Sequence, residues 1–97
     1  MTTITNTPWG HAQNAQMIGA GVYSVETASH GGIFVTDEML PAIPAAWRAY
    51  AKKWSQSENW FEEDCAWSAV AVTFPTMFSP DVVDRAHKIS AHFLPKL

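Results

Sequence analysis

The stretch VYSVETASHGGIFVT, residues 22–36, decides how this chain is read. Val22, Tyr23, Val25 and Thr27, and then Ile33, Phe34 and Val35, are β-branched or aromatic, and the pattern has period two rather than 3.6. Between them, Ser29-His30-Gly31-Gly32 offers glycines that can take the positive φ angles of a tight turn. The expectation is a hairpin with strands over about 22–28 and 32–36. Gly19-Ala20-Gly21 marks a second break, and a first strand over about 12–18 would complete an antiparallel meander. GHAQNAQM, residues 10–17, has little β propensity, however, and also suits a loop or a helical turn.

Beyond Thr36 the chain changes to helical punctuation. Thr36 can cap a short turn through Asp37, Glu38, Met39 and Leu40, which Pro41 stops. Pro44 suits a first helical position, and Trp47, Tyr50, Ala51 and Trp54 fall at i, i+3, i+4 and i+7 as one apolar stripe. Arg48, Lys52 and Lys53 take its solvent side. Asn59 followed by Glu62 has the outline of a capping box, so a second helix is expected to begin there, with an apolar body from Cys65 to Phe74 that Pro75 ends. VAVTF within that body would also serve as a buried strand. Ser79, Pro80 and Asp81 announce a last, amphipathic helix with Val82, Ala86, Ile89 and Phe93 on one face. The fold class is α+β: a small antiparallel sheet of about three strands covered by about three helices.

Composition supports one domain over residues 1–97. The chain is short, 47% of it is apolar, and five Trp and five Phe residues can anchor a single core. The single cysteine, Cys65, precludes an internal disulfide and fits a reducing cytoplasm. There is no CxxC or HExxH metal pattern and no GxxxxGK[ST] or GxGxxG phosphate cradle, so neither metal nor cofactor is expected. The first residues, MTTITNTPWG, lack a basic segment followed by an apolar run, and no apolar stretch approaches a membrane span.

The formal charge of −3 is mild, but its distribution is uneven. Between Lys53 and Arg85 there is no Lys or Arg, while the interval holds Glu58, Glu62, Glu63, Asp64, Asp81 and Asp84. Acids in a first helical turn favour the positive end of the helix dipole, which accounts for part of the cluster. Four acids within seven residues, flanked by Trp60 and Phe61 with no basic neighbour in sequence, suit an interaction surface equally well. Asp37 and Glu38, with Asp81 and Asp84, form a second candidate group. A Glu62–Glu63 hydrolytic pair is disfavoured, because adjacent helical residues diverge by some 100°.

Cys65 with His30 as base would make a nucleophile, but three carboxylates immediately before it oppose thiolate formation, and a lone Cys in an apolar run is ordinarily a core side chain. His30 in SHGG is favoured as a turn residue, since no two histidines have ligand spacing. Six bases against nine acids give poor footing for direct nucleic-acid binding.

TPWG at 7–10, TASHGG at 27–32, EEDCAW at 62–67 and TFP at 73–75 together resemble an uncharacterised family of small domains carried largely on bacterial and phage mobile elements. As a stand-alone acidic domain the chain also looks like phage-encoded anti-CRISPR inhibitors of the type I-F RNA-guided surveillance complex. That resemblance implies a non-enzymatic monomer in the bacterial cytoplasm. It would bind the protein subunits lining the target-DNA site and act as an acidic DNA mimic, touching neither nucleic acid nor membrane itself. The residues expected at the contact are Glu58, Trp60, Glu62, Glu63 and Asp64, then Asp37, Glu38, Asp81 and Asp84. Trp60 enters as an aromatic anchor of the kind that dominates interfaces. The alternatives are an accessory protein-binding domain of phage or plasmid biology, or a small Cys/His enzyme.

Overall fold

Val22–Glu26 (β4) and Gly31–Val35 (β5) pair antiparallel, with Tyr23 opposite Phe34 and Ser24 opposite Ile33. The computed structural model describes residues 4–97. The turn between these strands is closed by Thr27, whose amide (2.8 Å) and hydroxyl (2.7 Å) both donate to the His30 carbonyl. Positive φ is found instead at Gly10, at Gly21 and at the non-glycine Gln56. The two glycines of SHGG are therefore not turn glycines. They lie in β5, where Trp9 and the Phe61 carbonyl come too near Gly32 for a side chain, while Gly31 meets only the end of the exposed Glu63 side chain that closely.

Asn14–Gly19 (β3) pairs with β4, so the first expected strand exists despite its poor propensity. The register supplies the reason: Met17 faces Tyr23 and Ala15 faces Val25, and the strand is held by its neighbour rather than by local preference. A small hairpin of Asn6–Thr7 (β1) and Gly10–His11 (β2) precedes it as a separate two-stranded sheet. Its Thr7 hydroxyl donates to the Gly10 carbonyl at 2.8 Å and accepts from the Trp9 amide at 3.0 Å, which fixes the TPWG turn.

The main sheet has four strands, not three, in the order β3-β4-β5-β6. The fourth, Trp60–Glu62 (β6), occupies the place where a helix start was expected. Asn59 does not cap a helix. Its Nδ2 donates to the Val35 carbonyl and to Asp37 Oδ1, both at 2.8 Å, and its own carbonyl accepts from the Val35 amide. Phe61 and Trp60 are both buried, on opposite faces of the sheet, which a strand allows and the edge of a helix does not.

The second helix (α2, Trp67–Thr73) consequently begins later than the sequence suggests. The first helix (α1, Ala45–Ser55) has Pro44 as its N-cap rather than inside its first turn. The third (α3, Pro80–Phe93) starts as expected, with Ser79 Oγ accepting from the Val82 amide and Asp81 in the first turn. Short 3-10 turns at Leu40–Ala42 and Pro75–Met77 connect these elements.

One face of the sheet, carrying Val22, Ile33, Val35 and Phe61, meets Trp47 and Ala51 of α1 and Ala66, Ala69 and Val70 around α2, closed by Leu40, Ile43 and Leu94. The opposite face carries a chain of rings, Tyr23–Phe34–Trp60–Trp9, in which Trp60 meets Trp9 edge-on at 5.6 Å between centroids. The N-terminal hairpin thus covers the face that the helices leave open.

On α1 the buried row is Trp47, Ala51 and Ser55, and Ser55 Oγ donates to the Trp60 carbonyl at 2.9 Å, tying the helix end to β6. Tyr50 and Trp54 form the adjacent row, in which Tyr50 is half-buried against the edge of the core and Trp54 turns out. Trp54, expected inside the stripe, is 61% exposed.

Candidate functional site

Because β6 is a strand, successive side chains at its end leave on opposite sides, and this divides the EEDC acids. Glu62 enters a cleft of about 350 Å³ lined by Trp9, His30, Tyr50, Trp54, Asp64 and Cys65. Glu63 lies on the other side, in an open concavity of about 450 Å³ whose rim also holds Glu26, Asp64, Trp67 and Arg85. Asp64 borders both. The cleft gathers three of the four motifs: Trp9 comes from TPWG, His30 from TASHGG, and Glu62, Asp64 and Cys65 from EEDC.

Four of the expected contact residues, Glu58, Trp60, Glu62 and Asp37, are occupied internally. Glu58 pairs with Arg48 at 3.3 Å, and Arg48 is anchored in turn by its Nε donating to the Ile43 carbonyl, so the acid has a basic neighbour that sequence order conceals. Glu62 acts as a cap: its two oxygens accept from the amides of Asp64 (2.6 Å), Cys65 (2.9 Å) and Ala66 (2.8 Å), which satisfies donors in the turn leading into α2. Trp60, expected as an exposed anchor, is only 8% exposed and belongs to the ring cluster.

The remaining acids do not form one surface. Glu63 and Asp64 are exposed at one end of the β5–β6 pair, where Glu63 Oε1 lies 4.0 Å from His30 Nδ1. Glu26, opposite Gly31 in β4, joins them at that end. Asp37 and Glu38 follow the other end of β5, roughly 13 Å away at the usual strand rise. Asp37 accepts from Asn59, while Asp81 and Asp84 are exposed on α3. The exposed carboxylates that share a neighbourhood are Glu26, Glu63 and Asp64.

Burial pushes the Cys65 thiol up, the Glu62 carboxylate pushes it further, and the Tyr50 hydroxyl beside it only partly offsets this. Tyr50 is raised as well, first by burial and then by Cys65 and Glu62. At neutral pH the pair is a thiol beside a phenol, both uncharged, an environment that disfavours a thiolate nucleophile.

Sequence reasoning missed Glu26, Trp9, Tyr50 and Trp54 as site residues. The spacing of Tyr50 and Trp54 points to the core, which holds for Tyr50 in part and not for Trp54. Their i, i+4 relation also permits a row beside the buried one, with the rings 6.4 Å apart. Trp9 carried a signal in its tight Thr-Pro-Trp-Gly turn, since such a turn holds a large ring in place. Glu26 had no local signal, because its neighbourhood depends on strand register.

Among the described residues, no group of three or more His, Cys, Asp and Glu side chains is arranged to hold a metal ion, and no helix is long and apolar enough to cross a membrane. Comparison with curated proteins and with solved structures finds no significant match. Residues 2–97 match the model of a domain family described as a domain of unknown function, DUF7007, and the chain belongs to that family.

Proposed function

We propose that this chain acts by binding rather than by catalysis. On this reading it inhibits the type I-F CRISPR RNA-guided surveillance complex by seating an acidic edge in the basic channel where target duplex DNA loads. The observation that carries the reading is the grouping of Glu26, Glu63 and Asp64 at one end of the sheet, beside a cleft lined by aromatic rings. Such a channel holds DNA through Lys and Arg side chains, and a compact body with carboxylates at one edge competes for them. The choice of this partner rests on the likeness to small acidic inhibitors of that complex, not on the four motifs. The contact is a local acidic edge and not a phosphate-like ladder along the whole molecule, because Glu58, Glu62 and Asp37 are engaged internally.

One observation favours a second reading. His30 and Cys65 line the same cleft, as a Cys/His enzyme would require. The upward push on the thiol counts against it.

Phage plaquing on a type I-F strain that expresses the chain separates these readings. An inhibitor restores plaquing of a targeted phage, and a Cys65→Ser variant restores it equally. Unchanged plaquing rejects this partner and leaves an accessory protein-binding role. Restoration by wild type but not by Cys65→Ser favours the enzyme.

A further inference from the structure

Two concavities in this fold combine indole and carboxylate side chains, and only one of them contains an arginine; the other has His30 as its one basic lining residue. In the open concavity beside α3, the Arg85 guanidinium stands 5.5 Å from the centroid of Trp67, with Glu26, Glu63 and Asp64 around the same depression. A planar cation lies there over an indole amid carboxylates, the combination that cation–π attraction and charge pairing both favour. The cleft on the other side of β6 has indoles at Trp9 and Trp54, a phenol at Tyr50 and carboxylates at Glu62 and Asp64, but no Lys or Arg among its lining residues.

The rings of this cleft are not all explained by packing. Trp54 is 61% exposed on the last turn of α1, although a Lys or Gln there would serve the helix as well. The ring of Trp9 is held in place by Gly32 beneath it and by Trp60 at 5.6 Å, so one wall is preorganised. Glu62 lines the cleft with its carboxylate fixed by three backbone amides, while the Asp64 carboxylate is exposed at the rim. At about 350 Å³ the cleft lies at the small end of the usual range for ligand sites, roughly 300–1,000 Å³, and suits one side chain better than a large metabolite.

We infer that the cleft formed by Trp9, Tyr50, Trp54, Glu62 and Asp64 is a receptor for one arginine side chain of a protein partner. The guanidinium stacks on an indole while its N–H fork reaches Asp64, and Glu62 supplies fixed negative charge behind it. Arginine is favoured over a quaternary ammonium because the rim carries a hydrogen-bond acceptor that a methylated nitrogen cannot use. It is favoured over lysine because a planar cation matches the ring faces and the forked carboxylate together. The inference rests on the reading that the chain binds a basic protein, and it names the chemistry of that contact without depending on which protein it is.

The test uses the full chain and a minimal probe, N-acetyl-arginine N-methylamide. Its neutral isostere, the citrulline analogue, and the lysine analogue and choline serve as comparisons. Indole N–H signals of the five tryptophans are followed by NMR during titration. The expected result is saturable movement of the Trp9 and Trp54 signals with the arginine probe, weaker movement with lysine and choline, and none with citrulline. Trp54→Ala and Asp64→Asn, both at exposed side chains, weaken the arginine response about three- to tenfold and leave the remaining spectrum folded. Equal responses to arginine and citrulline, a stronger response to lysine or choline, movement confined to other tryptophans, or no effect of either substitution overturns the inference. No surveillance complex enters this experiment, so a failure to restore plaquing leaves its outcome untouched, and the reverse holds as well.

Discussion

The ring of Trp9 lies so close over Gly32 that a Cβ at position 32 would collide with its Cη2 and come within 2.7 Å of the Phe61 carbonyl oxygen. The TPWG and SHGG motifs are therefore two halves of one contact, and the glycine is required by proximity rather than by turn geometry. Gly32→Ala is expected to destabilise the fold by about 1–3 kcal/mol through overpacking. The measurement is a lower urea midpoint at an unchanged slope. Combining Trp9→Ala with Gly32→Ala should cost less than the two single losses summed, since removing the ring relieves one of the two clashes.

Adjacent acids in EEDC are expected to behave oppositely. Glu62→Ala leaves three amides of the turn into α2 without their acceptor and should cost about 1–3 kcal/mol, whereas Glu63→Ala at an exposed position should stay within about 0.5 kcal/mol. Urea denaturation of the two variants side by side checks the difference. Equal effects would mean that the Glu62 cap is not formed.

Two tryptophans that precede the EEDC segment, Trp54 and Trp60, should separate as clearly. Trp60→Ala removes a buried ring of the cluster with Trp9 and Phe34 and is expected to cost about 3–5 kcal/mol. Trp54→Ala should leave stability nearly unchanged, because its ring is mainly in solvent. Thermal melts of both variants provide the comparison.

These contrasts mark what was legible in the sequence. The hairpin of residues 22–36 and the Ser79-Pro80 helix start were readable because each signal is local: alternation over a few residues, or a cap beside a proline. β6 was not. Asn59 and Glu62 have the spacing of a capping box, and only the pairing of Phe61 with Ile33 and of Trp60 with Phe34 shows that the segment is extended. The same tertiary override hid the Glu58–Arg48 pair, formed across ten positions, and joined Glu26 to Glu63 through strand register. The site was therefore half visible: its motifs stood out as motifs, but which side chains turned outward depended on pairings between distant segments.

Alkaline conditions should expose the burial of the Cys65–Tyr50 pair. Both groups have folded values raised above their unfolded ones, so the native state keeps protons that the unfolded chain releases. Their contribution to stability is complete below the ordinary thiol value of about 8.5 and is lost as pH rises toward the raised folded values. Urea midpoints are expected to fall with increasing pH above that value, with a shallower fall in Cys65→Ser. Iodoacetamide alkylation of the native protein at pH 7.5 should be much slower than that of the unfolded chain. Rapid native alkylation would identify an activated thiol.

The acidic edge is tested by loading of target duplex onto the purified, guide-bound type I-F surveillance complex, read as a mobility shift with and without the chain at low and moderate salt. Wild-type protein is expected to prevent loading, more weakly as salt rises. The Glu26→Lys, Glu63→Lys, Asp64→Lys triple variant should fold normally and permit loading, while Glu58→Lys should still inhibit. Duplex loading unaffected by the wild type, or blocked equally well by the triple variant, would contradict the proposal.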